Sequence, residues 1–246
     1  MIMAKRRVVL SVCADSKTIK NAPVGYLTGI LYLAPAWESG VNLCPMAQAA
    51  RCDSSCLYKA GRGQMPSVIK ARMAKTRRFL FQREAFMADV VYSIRRLVKS
   101  ASRLAMTPLV RLNGTSDIRW EQIPVAVDGC VYASIFEVFP YVQFYDYTKI
   151  SNRRVAHLRN YDLTFSYSGT SAFWPHVRKA VDRRMRIAVV FGREEDIPKR
   201  FMGMKVIRGD DSDVRHEEPQ GVVVALIAKG PARHIDTGFV QHRRAA

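Results

Sequence analysis

The sequence has no histidine before His157, no apolar run long enough to span a membrane, and little acidic charge. Each shortage removes something. Without about 20 consecutive apolar residues, a membrane helix is not expected. All five cysteines precede His157, so no local Cys–His nucleophile pair is visible, and a zinc site would have to borrow His157, His176 or His216 from far along the chain. Acids number 21 against 39 Lys+Arg, a net charge of +18. A surface that basic attracts polyanions, nucleic acid being the commonest, although a solvated basic exterior with no dedicated partner has the same composition. There is no internal repeat and no low-complexity linker, and 246 residues suit one domain with a sizeable core and no need of disulfides. The opening MIMAKRRVVLSVCADSK imitates a secretory signal, but its apolar part is short and Asp15 and Lys17 follow at once. Residues 6–13 are therefore expected to form a first strand, in a reducing, cytoplasmic setting where thiols or metal ligands are favoured over disulfides.

What stands out instead is the stretch CPMAQAARCDSSCLYKAGRG, residues 44–63. It places Cys44, Cys52 and Cys56 at C-x7-C-x3-C spacing. It lies between an apolar run, residues 25–34, and a long basic segment opened by Pro66. Thiolates bind iron–sulfur clusters and zinc. Three cysteines without a fourth nearby suit a [4Fe–4S] cluster with one iron open. Buried cysteine is also often just a small apolar side chain. That is the reading for Cys13 and Cys130, which are expected in the core.

Residues 25–34, 107–112, 141–147, 161–166, 186–191, 205–208 and 221–228 have the composition of strands. Residues 66–105 predict a helix, or two with a break near Gln82. Met87, Val90, Ile94, Leu97, Ala101 and Leu104 form its apolar stripe, and ten Lys or Arg lie along it. Residues 174–184 predict a second helix, 152–159 a short basic one, and the stretch up to Ser134 a partly helical connection. The tail from 235 is expected to be loose. Alternation of strand and helix argues for an α/β domain with a parallel sheet of six or seven strands, as a barrel, an open barrel or a doubly wound sheet.

Polar clusters follow several strands: Asn113-Gly114-Thr115-Ser116-Asp117, Tyr147-Thr148-Lys149, Ser166-Tyr167-Ser168 and Gly209-Asp210-Asp211. In parallel α/β folds the ligand site forms at the strands' carboxyl ends. Arg111 and Lys149 are candidates for neutralising anionic groups there, with Tyr147 and Ser166 beside them. Weaker signals are Gly61-Arg62-Gly63, which is short for a phosphate loop; Asp210, Asp211 and Asp213, which suit a divalent cation or a turn; and Tyr145, Tyr147, Phe165 and Tyr167, which suit base stacking or a core.

The run GYLTGILYLAPAWESGVNLCP, the C-x7-C-x3-C spacing, Val110 to Asp117, Phe144 to Lys149, Leu163 to Ser166 and Gly221 to Gly230 together resemble the phage-encoded gene product 88 family. A looser similarity links the same features to radical S-adenosylmethionine enzymes. There, three cysteines after the first barrel strand hold a [4Fe–4S] cluster whose open iron takes the cofactor, and a Gly-containing motif after the second strand contacts it. This resemblance implies a TIM-like barrel, open or complete. It implies Cys44, Cys52 and Cys56 as cluster ligands, and Asn113, Gly114, Thr115, Ser116 and Asp117 as cofactor contacts. The chain's spacing departs from that superfamily's C-x3-C-x2-C. Two functions follow as expectations: an iron–sulfur enzyme modifying nucleic acid or a nucleotide in the host cytoplasm, or a non-catalytic nucleic-acid-binding protein whose cysteines hold zinc or no metal.

Overall fold

The computed structural model describes residues 6–14, 16–54, 56, 58, 61–234 and 236–242. Short edge strand β1 (Leu10–Val12) and helix α1 (Ser16–Ile19) lead into β2 (Tyr26–Leu31). After the cysteine loop come α2 (Pro66–Phe81), α3 (Arg83–Arg103) and β3 (Thr107–Arg111). A hairpin of β4 (Val125–Val127) and β5 (Cys130–Tyr132), a short α4 (Ile135–Val138) and β6 (Gln143–Thr148) follow. The rest is β7 (Tyr161–Ser166), α5 (Trp174–Asp182), β8 (Ile187–Phe191), β9 (Arg200–Phe201), β10 (Met204–Arg208), β11 (Val223–Ile227) and β12 (Val240–Gln241).

The main sheet has ten strands in the order β1-β2-β3-β6-β7-β8-β11-β10-β9, with β12 joining β8 from the side. Six strands, β2, β3, β6, β7, β8 and β11, run parallel and in sequential order. The antiparallel pairs are at the edges, β1 on β2 and β9 on β10. The sheet is thus larger than six or seven strands and mostly, not wholly, parallel. No pairing among the described residues joins its two ends.

Helix α2 starts at Pro66, whose fixed φ suits a first turn and whose missing N–H costs nothing there. The chain breaks at Gln82, which leaves helical backbone at φ −138° before α3 begins. Met87, Val90, Ile94, Leu97 and Ala101 are buried as one stripe, while Leu104 lies past the helix end and is 60% exposed. Close packing of α3 on β2 needs Gly29, where a Cβ would lie 3.0 Å from Leu97 and 3.2 Å from Leu10. The α2–α3 side of the sheet, with Trp120, Phe136, Phe144 and Tyr161, forms the larger core; α5 covers a second one of Phe165, Phe173, Ile187, Val189 and Phe191.

The opposite face carries charge. Residues 209–222 lie across it as a plug. From the β2 side, Asn21 Oδ1 accepts from Asp213 N at 2.8 Å, Tyr26 OH donates to Glu217 at 2.5 Å, and Lys20 lies 4.0 Å from Asp210. From the β8 side, buried Arg186 donates to Asp162 at 2.6 Å and to the Glu218 carbonyl at 2.6 Å. One segment touching both β2 and β8 means that the sheet curls around it.

Several local expectations change. The stretch up to Ser134 is helical only at the 3-10 turn Trp120–Gln122 and then forms a β-hairpin, because Asp128 (φ 51°) and Gly129 (φ 84°) make a two-residue turn with both φ values positive. Residues 152–159 are turns, with Arg153 drawn inward to pair with Glu121 and Tyr161. Cys13 and Cys130 are exposed, one at a left-handed residue just after β1 and one beside the hairpin turn. From position 235, residues 236–242 include strand-bonded β12, while residue 235 and Arg243 and Arg244 lie outside the described residues. No helix among the described residues is long and apolar enough to cross a membrane.

Candidate functional site

The loop from Pro35 to Gly63 leaves the carboxyl end of β2 and is sewn to the ends of the neighbouring parallel strands. From β3, Gly114 N donates to Leu31 O at 3.0 Å, Thr115 Oγ1 to Leu33 O at 2.5 Å, and Asp117 N to Leu43 O at 2.9 Å. From β7, Ser168 Oγ donates to Ala50 O at 2.8 Å and Thr170 Oγ1 to Ala49 O at 2.6 Å. From the C-terminal segment, Thr237 Oγ1 donates to Arg51 O at 3.1 Å. The cysteine loop is therefore anchored on three sides.

Cys44, Cys52 and Cys56 are partly buried free thiols. Burial pushes the Cys44 thiol up to about 12, with Asp117 and the other two cysteines adding to the rise. Burial also raises Cys52 and Cys56; Lys149 opposes the rise at Cys52, and Cys52 adds to it at Cys56. Cys44 Sγ lies 3.7 Å from Thr115 O, and Cys52 Sγ 3.9 Å from Ala47 O.

Lys149 stands among them and is 9% exposed. Its Nζ donates to Ser166 Oγ at 2.9 Å, Ser166 O at 3.2 Å and Tyr167 O at 3.4 Å. It lies 4.6 Å from the centre of the Phe239 ring and 5.5 Å from that of Phe173. Burial lowers its pKa, opposed by Cys52, Asp117, Cys44 and Cys56 in that order. Two further cations act on Cys56, Lys17 and Arg72, the latter held between the rings of Tyr32 and Tyr58 at 5.0 and 5.1 Å. Lys149 beside Cys52 and Lys17 and Arg72 beside Cys56 favour the thiolate there, but burial outweighs them and all three thiols are held up.

The residues after β3 are scaffold. Asn113 Oδ1 accepts from Ser116 Oγ, Ile118 N and Trp120 Nε1 at 2.9–3.0 Å, and Asn113 N donates to Asp146 at 2.7 Å. Gly114 leaves no room for a side chain, since a Cβ would come within 2.7 Å of Ile30, Leu31 O and Tyr32. Asp117 accepts from Thr148 Oγ1 at 2.8 Å and Lys149 N at 2.7 Å, and Arg153 lies 3.6 Å away.

Arg111 and Tyr147 face the plug. Buried Asp213 accepts from Tyr145 OH and Tyr147 OH at 2.8 Å and from Arg111 at 3.3 Å, with Arg215 at 3.6 Å. Burial would raise its pKa, but Arg111, Lys17 and Arg215 outweigh burial and hold it below the usual carboxylate range. Asp213 is thus saturated by cations and hydroxyls. Asp210 accepts from Lys229 Nζ and Ile227 N at 2.7 Å, and Asp211 is exposed, which leaves the acidic run a turn. Tyr145 and Phe165 are fully buried core, and Tyr167 packs on Phe201. Gly61-Arg62-Gly63 is a 3-10 turn in which a Cβ at Gly63 would meet Tyr58 O at 2.5 Å.

Between the 48–51 stretch of the cysteine loop and the segments after β7 and before β12 is a cleft of about 410 Å³, lined by Gln48, Arg51, Thr170, Ser171, Thr237 and Gly238 among others. Phe173 and Phe239, neighbours in sequence of its walls, are the two rings against Lys149. Lys17, Arg72 and Phe239 went unnoticed in the sequence, because each lies far along the chain from the cysteines and has no motif around it.

A family model described as Gene product 88 matches residues 9–243. The chain belongs to the gene product 88 family, a family of phage gene products. No curated protein and no solved structure matches it. The match covers the cysteine loop, the β3 scaffold and the β12 segment alike, so the whole site lies within the family's extent. As donors, three thiols on one loop fit a thiophilic centre in number and chemistry. They are not a pre-formed ligand set: among the described residues no three His, Cys, Asp or Glu side chains are close enough to hold a metal ion, and His157, His176 and His216 do not join the thiols.

Proposed function

We propose that Cys44, Cys52 and Cys56 hold an iron–sulfur cluster at the carboxyl ends of the parallel strands, in an enzyme of radical S-adenosylmethionine type that acts on nucleic acid or a nucleotide in the phage host's cytoplasm. The observation that carries this reading is the position of all three thiols on one loop directly after the first parallel strand, anchored to the neighbouring strand ends on three sides. Two features support it. Six parallel strands in sequential order, curled about a filled face, suit an open barrel of that kind. The 410 Å³ cleft beside the loop offers room for a small organic ligand. When bound, such a cluster and its cofactor supply radical chemistry.

The chain's own residues divide the work. Lys149, Lys17 and Arg72 offset the negative charge of a thiolate-ligated centre. Asn113, Gly114, Thr115, Ser116 and Asp117 seat the cysteine loop with their backbone and their internal hydrogen bonds. Phe173 and Phe239 keep water from Lys149. The C-x7-C-x3-C spacing belongs to this chain, and the three-sided anchoring supports the idea that a longer loop still delivers its thiols together.

The test is spectroscopic. Protein purified and reconstituted without oxygen is expected to be brown, to bleach on reduction, and to change its electron paramagnetic resonance signal when the cofactor is added. A colourless protein after reconstitution sinks the cluster. Zinc bound without sulfide would move the reading to the alternative, a structural site in a non-catalytic nucleic-acid-binding protein.

A further inference from the structure

The long basic segment 66–105 looks in sequence like the polyanion-binding face, but the fold uses many of its cations elsewhere. Arg72 is held between two tyrosine rings, and Lys75 donates to Val9 O at 3.3 Å. Arg78 pairs with buried Asp89, Arg83 stacks 3.8 Å over Phe79, and Arg95 pairs with Asp128 at 2.7 Å. The exposed remainder, including Lys70, Arg77, Lys99 and Arg103, is strung along two helices.

A denser field lies on α5 and the 151–160 loop. These two segments are joined by Arg183, which donates to Ser151 O at 3.0 Å, and by His176, whose Nδ1 is 3.4 Å from Ser151 Oγ. Arg154, Arg159, Arg178, Lys179, Arg183 and Arg184 are all exposed there. Of the two acids in residues 151–186, Asp162 is bound to Arg186, so Asp182 alone opposes them from the surface. Trp174 heads the helix and is 41% exposed, an aromatic among cations. Ser171 and Ala172, three and two residues before it, line the cleft against the cysteine loop.

We infer that α5 and the 151–160 loop form the nucleic-acid interface, binding a single strand through its phosphates and stacking a base on Trp174. Charge complementarity selects a polyanion, and the exposed indole favours a strand with unpaired bases. A strand lying here passes the mouth of the cleft, where the proposed centre would meet it. This inference rests on the nucleic-acid part of the proposed function.

The test is anisotropy titration of the full-length protein with a fluorescein-labelled oligothymidylate longer than the ~4–16 nucleotides a single-strand groove covers. Wild type is expected to bind with strong salt dependence. The variant Arg154→Ala/Arg159→Ala/Arg178→Ala/Lys179→Ala is expected to flatten the log K against log salt slope by about 3, at ~0.7 per lost contact. Arg183 is spared because it also ties the loop. Trp174→Ala is expected to weaken binding about tenfold with the slope unchanged. Lys70→Ala/Arg77→Ala/Lys99→Ala/Arg103→Ala is the control and should leave both unchanged. The inference is overturned by equal or greater loss in that control, by salt-insensitive or absent binding in wild type, or by tighter binding of duplex. Iron and sulfide are measured on the same preparations: their absence with binding intact removes the cluster alone, while a full cluster with binding unaffected by the α5 variants removes this interface alone.

Discussion

Gly114→Ala is a single methyl placed where β2, β3 and the cysteine loop meet. The added Cβ would lie 2.7 Å from three atoms, Ile30 Cγ2, Leu31 O and Tyr32 Cδ1. Ordinary carbon contacts begin near 3.5 Å, so the backbone must separate by most of an ångström. Leu31 O is a backbone atom inside a buried ladder and does not swing aside. Overpacking of this kind costs about 1–3 kcal/mol. The Gly114 N–H to Leu31 O bond, 3.0 Å long, is lost with it, for roughly another 1 kcal/mol. A total of about 2–4 kcal/mol, at ~2–4 °C per kcal/mol for a chain of this size, lowers Tm by roughly 5–15 °C. The damage is directional, since Thr115 and Asp117, which hold Leu33 O and Leu43 O, move with Gly114. Circular dichroism melts should show the drop, and a thiol-reagent time course should show Cys44 reacting faster than in wild type. A variant that melts within about 2 °C of wild type, with unchanged thiol kinetics, refutes the claim that the β3 loop seats the cysteine loop.

Two further outcomes follow from the buried charges and the thiols. Asp213→Ala strands buried Arg111, while Arg215 keeps Glu218 and the Gly209 carbonyl, and should cost about 3–5 kcal/mol in urea melts. Because the folded-state pKa of Asp213 is lowered, its contribution is complete above its unfolded value near 4 and is lost as pH falls through the folded value. Wild type should therefore lose that stability on acidification and the variant should not; matching acid limbs would count against the plug's ionic anchoring. In alkylation at pH 8 of the metal-free protein, exposed Cys13 and Cys130 should label first. Cys44, with its thiol near 12, should lag far behind together with Cys52 and Cys56. Equal labelling of Cys44 and Cys13 would contradict the buried cluster.

Much of the frame was legible because its signals are local. The apolar segment 161–166 became β7, Pro66 opened α2, Gln82 divided the helices, and the three- and four-residue apolar stripe lay against the sheet. The hairpin was missed although Asp128-Gly129 between apolar pairs is a two-residue turn signal, because the flanking strands are only three residues long. Buried charge was the larger loss. Nothing in the sequence marks Arg186, Arg215 and Asp213 as buried; only the packing of residues 209–222 against the sheet places them inside with partners. The polar runs after the strands were located correctly, yet their chemistry was not legible. Asn113, Ser116 and Asp117 carry the same side chains whether they bind a ligand or hold a loop, and hydrogen-bond geometry alone separates the two uses. The anchoring of the cysteine loop was equally hidden, since it depends on contacts from residues as distant as Ser168 and Thr237.

The most direct measurement is iron and acid-labile sulfide per chain after anaerobic reconstitution, on wild type, Cys44→Ser/Cys52→Ser/Cys56→Ser and Cys13→Ser/Cys130→Ser. The account predicts about four of each in wild type and in the exposed-cysteine variant, and close to none in the triple variant. Iron and sulfide absent from wild type, or retained in the triple variant, would contradict it.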